Sequence, residues 1–239
     1  MDHQPPRGDS VILPTYKEVA YQMIKEAILY RKIKVGEFYS QDALCSELGI
    51  NRTPVREALL ELQKEGYISF MRGKGIQIVT LSRKQAEDIL EMRYVIELAG
   101  IELAARRRTP AALAGIRASL EEMELNIGNN ADKTSLYKLD RKFHVRLFEA
   151  AGNNMMLDAL EDLRDQFLRM ESQSTFDNPA QSRQVVEEHR RIYSAVEEGD
   201  ADTAREAMRS HLDLTYRRTV KPIIDTLQNY IERSHTRES

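Results

Sequence analysis

The sequence predicts a mainly α-helical protein in two parts, an N-terminal winged helix-turn-helix followed by an all-helical bundle of about six helices. Residues 40–79 read as two short helices and a glycine-bearing hairpin. Beyond residue 81 the chain has long helical periods and almost no glycine. A length of 239 residues fits two modest domains. We therefore expect domains at residues 11–80 and 81–232.

The second short helix is predicted to begin after Asn51, because asparagine is a favoured N-cap residue. Its side chain is expected to cap the Thr53 amide, since Pro54 has no N–H. Ser40 should cap the first helix and Gly49 should end it. The apolar residues of the second helix recur at helical spacing and predict one buried stripe: Val55, Ala58, Leu59 and Leu62.

The outward face of this second helix has charges in an order that favours an anionic partner. Arg52 and Arg56 lie near the positive N-terminus of the helix dipole, whereas the glutamates lie nearer its negative C-terminus. This order costs helix stability, and a phosphate or a guanine edge in the major groove of DNA would offset the cost. Thr53 also faces outward. The sequence therefore predicts DNA contacts at this end of the helix.

A hairpin with two cations at its tip follows this helix. Strands are predicted at residues 67–70 and 76–79, joined by a glycine-containing turn. Arg72 and Lys74 in that turn suit the DNA backbone or the minor groove. Either cation alone could be a solvated surface charge. Helix, turn and wing together within about forty residues favour a DNA contact.

This segment resembles the DNA-binding domain of GntR-type bacterial transcription regulators, over roughly residues 15–80. The resemblance rests on the run from Asn51 to Leu59, followed by Leu62, Glu65-Gly66-Tyr67 and Arg72-Gly73. The family commonly has serine where this chain has Asn51, and both residues are good helix caps. The resemblance implies that Arg52, Thr53 and Arg56 contact operator bases and phosphates, and that the wing contacts flanking DNA.

Charge and cysteine content narrow the class of protein. The formal net charge is −3, so the chain as a whole is not a strongly basic nucleic-acid binder. A single cysteine, Cys45, allows no internal disulfide. Neither a signal peptide nor an apolar run long enough to span a membrane is evident. With the family resemblance, this implies a cytoplasmic bacterial protein that joins the nucleoid when bound to DNA, and the termini (1–10 and 234–239) are expected to be disordered.

Six bundle helices are predicted from local start signals. Ser82 with Gln85 forms a capping box for the first, which should extend to about Arg108. The last helix is expected to kink near Lys221-Pro222. The other five helices should open, in order, at Thr109-Pro110, Asp132, Asn153, Asn178-Pro179 and Asp200.

Four residues with metal-ligand chemistry lie on apolar faces of these helices. Asp140 and His144 share one face of the third helix at i, i+4, and His189 and His211 lie on the last two helices. Any one could be a satisfied core residue, and Asp140 with His144 could be a buried hydrogen-bonded pair. An unpaired buried carboxylate, however, costs on the order of several kcal/mol. Four inward polar groups on three helices therefore favour a shared divalent metal, such as zinc, nickel, manganese or iron.

The spacing of these four residues resembles the metal-binding version of the FCD effector domain, which one large branch of GntR regulators carries. The resemblance covers roughly residues 82–225. It implies that Asp140, His144, His189 and His211 are the metal ligands, and that a small carboxylate effector binds at open positions of the metal.

Arg93 is the candidate anchor for that effector. It lies on the inward face of the first bundle helix, and by resemblance an arginine in an Arg-x3-Glu setting, here with Glu97, is associated with effector binding. A planar, permanently charged guanidinium suits a carboxylate ligand. An internal ion pair between Arg93 and Glu97 is the alternative.

The favoured function is a ligand-responsive transcription regulator that reads an inverted-repeat operator as a homodimer. A metal-dependent hydrolase that uses the Asp/His3 site, or a sensor of the metal ion itself, is the alternative. The hydrolase lacks a general base, since Glu188 and Glu149 are expected to point away from the metal-facing side. The dimer interface is expected on outer apolar faces of the first and fourth bundle helices, including Met92, Leu103, Leu160 and Phe167.

Overall fold

The computed structural model describes residues 13–34, 36–129, 131–170, 175–176 and 178–221. They divide into two structural units between Thr80 and Leu81. The first is a winged helix-turn-helix and the second is a helical bundle, so the predicted fold class is confirmed. No helix within the described ranges is both long and apolar enough to cross a membrane.

The first unit combines helices with a small antiparallel sheet. Its helices are α1 (Tyr16–Leu29), α2 (Gln41–Leu48) and α3 (Arg52–Lys64), and its strands are β1 (Phe38–Tyr39), β2 (Ile68–Met71) and β3 (Gly75–Ile78). The strand order is β1-β3-β2. The predicted hairpin is therefore present as β2 and β3. Gly75 lets β3 approach β1, because a Cβ there would lie 2.3 Å from the carbonyl oxygen of Tyr39.

The predicted caps of α2 are right, whereas at α3 the N-cap position is right and the predicted side-chain bond is wrong. Ser40 accepts a hydrogen bond from the Ala43 amide, and Gly49 ends α2 with a φ of 64°. Asn51 is the N-cap residue of α3, but its side chain makes no capping hydrogen bond. Pro54 occupies the third helical position, whose amide an N-cap side chain commonly bonds, and the extended backbone of Asn51 alone sets the entry into α3.

The amphipathic pattern of α3 is as predicted. The stripe of Val55, Ala58, Leu59 and Leu62 is fully buried, and α3 packs against α1, α2 and β2. Thr53, Arg56 and Leu60 are exposed. The side of α3 that carries its N-terminal polar residues therefore remains accessible in this unit.

The second unit contains the six predicted helices, within the described ranges. They are α4 (Arg83–Arg107), α5 (Pro110–Gly128), α6 (Lys133–Ala151), α7 (Asn154–Met170), α8 (Pro179–Glu198) and α9 (Ala201–Thr215). Helix α4 packs against α6, α7 and α9, and α8 packs against α5 and α9. Gly100 permits the close contact of α4 with α6, because a Cβ there would lie 2.4 Å from the Phe148 ring.

The predicted helix starts of the bundle are observed. Ser82 and Gln85 form the capping box of α4, and the other helices open on side-chain caps from Thr109, Asp132, Asn153, Asn178 and Asp200. Helix α9 continues into a π-helical turn, Tyr216–Val220, here called the π-turn. The predicted kink at Pro222, the remainder of the bundle domain to residue 232, and both termini predicted to be disordered lie outside the described residues.

The expected dimer interface is wrong in two of its residues. Leu160 is 0% and Phe167 is 7% exposed within the single chain. Phe167 packs with Ala86, Met170 and Val220. The apolar face of α7 therefore covers α4 and is not an outer surface, whereas Met92 on α4 is exposed.

Candidate functional site

The three histidines that the structure describes face one another inside the second unit. His144 on α6, His189 on α8 and His211 on α9 are 1%, 0% and 4% exposed. Their ring centroids are 4.9–5.3 Å apart. One ring nitrogen from each lies within 4.8 Å of the other two. The structure thus brings together three of the four candidate ligands from separate helices.

Asp140, the fourth candidate ligand, borders this histidine cluster. Its Oδ1 lies 3.5 Å from Nε2 of His189, and its Oδ2 accepts a hydrogen bond from Arg164 of α7. Burial raises the pKa of Asp140, but the charge of Arg164 and the nearby histidines outweigh burial, so its pKa lies below the ordinary value. Asp140 is therefore an ionised carboxylate beside three imidazoles.

His144 and His189 are held as neutral rings by their surroundings. Burial, followed by the charge of Arg164, lowers the pKa of His144 to about 4. Burial and the neighbouring His211 lower the pKa of His189 well below its ordinary value. A neutral imidazole keeps a lone pair with which it can bind a metal.

His189 is the least satisfied of the three histidines. Neither ring nitrogen has a hydrogen-bond partner among the described residues. Its orientation comes instead from Phe143, whose ring stacks on it at a centroid distance of 4.2 Å. Leaving a buried polar group unpaired costs about 1–3 kcal/mol. A metal bound to one of these two nitrogens would remove the cost of leaving that nitrogen unpaired. The residues present therefore fit a metal.

Two buried glutamates lie behind the other two rings. Oε2 of Glu97 lies 3.0 Å from Nδ1 of His144, and Oε2 of Glu188 lies 2.9 Å from Nδ1 of His211. These contacts leave Nε2 of both rings for another partner. Glu149 pairs instead with Arg146 at 2.7 Å.

Glu188 is buried behind the His211 ring, a contact that its place beside His189 in the sequence did not predict. It precedes His189 by one residue, which is about 100° around a helix. Helix α9 covers that side of α8, so Glu188 is buried against His211. The pKa of Glu188 is raised by burial and lowered by hydrogen bonds from Arg218 and His211, and the net direction is below its ordinary value.

Arg93 forms the internal ion pair that was the alternative at that position. Its Nε lies 2.7 Å from Oε1 of Glu97, and its guanidinium lies 3.9 Å from the centroid of the Phe167 ring. Burial raises the pKa of Glu97, but Arg93 and His144 outweigh burial and hold it well below the ordinary value. One charged carboxylate therefore contacts both Arg93 and a candidate metal ligand. A role for Arg93 in effector binding stays a prediction.

Arg164 is a site residue that the sequence reasoning missed. Its side chain is only 11% exposed and pairs with Asp140. A signal was present, because Arg164 follows Leu160 by four residues and precedes Phe167 by three, which places it on the apolar face of α7.

The five candidate DNA contacts are exposed on the first unit. Thr53 and Arg56 lie in the first turns of α3, and Arg72 and Lys74 flank Gly73 between β2 and β3. The Lys74 ammonium lies 5.1 Å from the centroid of the Phe38 ring. Arg52 pairs with Asp42 of α2, with Nη2 2.8 Å from Oδ2.

Two family models match the sequence. The model described as "Bacterial regulatory proteins, gntR family" matches residues 15–78. The model described as "FCD domain" matches residues 88–214, over half of the chain. The chain belongs to the GntR family of transcription regulators, in the group with an FCD domain. This GntR regulator is a DNA-binding protein and not an enzyme, so the hydrolase alternative is wrong.

Known relatives agree with this membership. The HTH-type transcriptional regulator YdhC of Bacillus subtilis is 28% identical over 195 residues, which cover 81% of this chain and 86% of YdhC. The Glc operon transcriptional activator of Escherichia coli K12 is 28% identical over 225 residues, which cover 85% and 87%. The solved structure of E. coli McbR/YncC has a TM-score of 0.73 at 22% identity, covering 91% of this GntR regulator and 100% of that chain, a likeness of fold.

Proposed function

We propose that the FCD domain of this GntR regulator binds a divalent metal through His144, His189, His211 and Asp140, and that a small carboxylate effector binds beside the metal and modulates operator binding. The observation that carries this proposal is the buried convergence of the three histidines, each from a different helix. A further support is that FCD domains are often metal-binding.

The distances between the candidate ligand nitrogens are close to those that a bound metal requires. Metal–nitrogen bonds of about 2.1 Å place bound nitrogens roughly 3–4 Å apart. One nitrogen from each histidine lies within 4.8 Å of the other two, so small side-chain movements suffice. Imidazole nitrogens with one carboxylate oxygen suit zinc, nickel, manganese or iron.

The burial of the ligands favours a resident ion over an ion that acts as the signal. All three histidines are buried, so exchange of the ion requires the helices around them to separate. A bound metal would offer an open coordination position to an effector carboxylate, and the ligands themselves would remain unchanged when the effector leaves.

Arg93 is the proposed second anchor of the effector. Its guanidinium already has Glu97 as a partner, so an incoming carboxylate must share or replace that partner. Glu97 also contacts His144 and therefore keeps a polar contact when Arg93 turns to the effector. Effector binding would in this way alter the surroundings of a metal ligand.

Operator contacts are proposed for Arg52, Thr53, Arg56, Arg72 and Lys74. The Arg52–Asp42 pair is solvent-exposed, and such pairs contribute only about 0–1 kcal/mol. A DNA phosphate can therefore replace Asp42 at little cost. We propose that a homodimer in the bacterial cytoplasm places two such surfaces on an inverted repeat.

Metal titration tests the central proposal. Protein stripped with a chelator is titrated with zinc, nickel and manganese, and metal content is measured after dialysis. We expect one tightly held ion per chain, with loss of the tight site in His189→Ala. Glu187→Ala on the exposed side of α8 is the matched control and should keep the site. Wild-type protein that takes up none of these ions would overturn the proposal.

The effector is sought on the metal-loaded protein. Organic acids are screened by thermal shift, because a ligand that binds only the folded state raises the melting temperature. We expect stabilisation by a small carboxylate that also changes operator affinity. An acid that stabilises the metal-stripped protein equally well would speak against binding beside the metal.

A further inference from the structure

We infer that Glu188 is a positioning residue for the metal ligand His211, and that Arg218 links it to the π-turn, so that metal occupancy stabilises the π-turn. This inference rests on the metal site proposed above. It concerns the part of the domain that follows the last ligand.

Glu188 is held on both sides by short contacts. Its Oε2 lies 2.9 Å from Nδ1 of His211. Arg218 donates two hydrogen bonds to the same carboxylate, from Nη1 to Oε1 at 2.6 Å and from Nη2 to Oε2 at 2.9 Å. Glu188 and His211 are both buried. The three side chains therefore form one connected unit that joins α8, α9 and the π-turn, with Arg218 only 10% exposed.

The carboxylate selects the form of His211 that a metal needs. A neutral imidazole has one N–H, and a carboxylate beside Nδ1 keeps the proton on that nitrogen. Nε2 then has its lone pair free, and the ring is fixed in orientation. The His211 ring faces His144 and His189, so a fixed ring directs Nε2 to the place where the other ligands converge.

Arg218 makes a buried Glu188 possible and ties it to the end of the described chain. A buried carboxylate requires a compensating charge, and a two-pronged guanidinium supplies it with defined geometry. Arg218 also donates to Oγ1 of Thr215 at 3.3 Å. Val220, at the end of the π-turn, is fully buried against Ala86, Phe167 and Met170. A fixed His211 therefore also stabilises the π-turn, whose Val220 packs on α4 and α7.

A change at Glu188 tests the positioning of a metal ligand apart from effector binding, and a change at Glu97 would not. Glu97 also contacts His144, but its second partner is Arg93, the proposed effector anchor. The partners of Glu188 are the metal ligand and the π-turn. A change at Glu188 therefore tests the metal site without removing the partner of Arg93.

The variant test compares Glu188→Gln with Glu187→Gln, the same change at an exposed neighbour that pairs with Arg190. Zinc affinity is measured by chelator competition, and cobalt(II) absorption reports ligand geometry. We expect Glu188→Gln to bind zinc about 10- to 100-fold more weakly, with an altered cobalt spectrum, and Glu187→Gln to match wild type. Wild-type affinity and spectrum in folded Glu188→Gln would overturn the positioning role.

The effect of zinc on the π-turn is measured on the wild-type protein, so this test does not depend on the folding of Glu188→Gln. Amide hydrogen exchange is followed across residues 211–221 in stripped and zinc-loaded wild-type protein. We expect zinc to slow exchange in the π-turn. Zinc uptake that leaves exchange there unchanged would overturn the link to the π-turn alone, whereas no zinc uptake at all would overturn the proposed metal site.

Discussion

The guanidinium of Arg164 on α7 donates a hydrogen bond to the carboxylate of Asp140 on α6. This pair leaves the other oxygen of Asp140 beside Nε2 of His189. Arg164 is therefore the charge that compensates Asp140 when no metal is bound. With a metal in place, the ion would share that role.

The first prediction follows from this shared compensation. Arg164→Met should lower the free energy of unfolding of metal-stripped protein by about 3 kcal/mol, because it leaves the Asp140 carboxylate, which is only 14% exposed, without its cation. The loss should be smaller in zinc-loaded protein. Urea unfolding of both forms measures the difference.

Arg141→Met is the matched control for Arg164→Met. Arg141 also joins α6 to α7, through Asp165 and Glu161, but it makes no contact with the histidine cluster. We expect its cost to be the same with and without zinc. Equal losses for Arg164→Met in the two states would show that Asp140 does not bind the ion.

The second prediction concerns operator binding. Arg56→Ala should weaken operator affinity by about 1–3 kcal/mol, because Arg56 is exposed near the N-terminus of α3, where it can reach a base edge or phosphate. Affinity is measured at one fixed salt concentration. Arg106→Ala, an exposed arginine of the other unit, should leave affinity unchanged. A folded Arg56→Ala variant with wild-type affinity would exclude this contact.

The third prediction tests the packing of α4 on α6. Gly100→Ala should destabilise the protein by about 1–3 kcal/mol, because its Cβ would lie 2.4 Å from the Phe148 ring. Gly115→Ala on α5 meets only Arg146, at 3.8 Å, and should be neutral or stabilising by up to about 1 kcal/mol. Thermal unfolding of the two variants compares them. Equal stability would mean that α4 can move away from α6 at no cost.

The fourth prediction addresses signalling. Arg93→Ala should weaken effector binding by about 1–3 kcal/mol, because it removes a charged anchor. It should also destabilise the protein, because the buried Glu97 carboxylate loses its cation. Operator affinity of the folded variant without effector should stay near wild type. Arg93→Lys keeps a cation beside Glu97 but loses the planar guanidinium, so an intermediate loss is expected. Calorimetric titration of the acid found by thermal shift gives the affinities.

Effector binding and operator binding must be coupled equally in both directions. Operator DNA must change effector affinity by the same factor by which effector changes operator affinity. Titrations with and without operator measure both factors in wild type. An acid that binds Arg93→Ala as well as wild type, or that leaves operator affinity unchanged, is not the proposed effector.

The sequence predicted the helices well because their signals are local. Ser82 and Asp132 cap helices through amides three residues away, so no distant contact was needed. The inward direction of His144 likewise followed from apolar neighbours on its own helix. The three histidines face one another because of the way α6, α8 and α9 pack. The sequence spacing predicted only that they share a partner.

Features that depend on which helix covers which face were not predictable in this way. Glu188 is buried because α9 lies over one side of α8, and Phe167 is buried because α7 lies over α4. Periodicity identifies an apolar face but not its partner. The assignment of Phe167 to a dimer interface was wrong for that reason.

The three histidines come from distant points of the chain, and this spacing has a consequence for stability. About 45 residues separate His144 from His189, and an ion held by both would act as a reversible cross-link between them. A covalent link closing a loop of that length contributes about 4 kcal/mol by restricting the unfolded chain. Under the proposed function, a chelator would act on this regulator much as a reducing agent acts on a protein held by a disulfide.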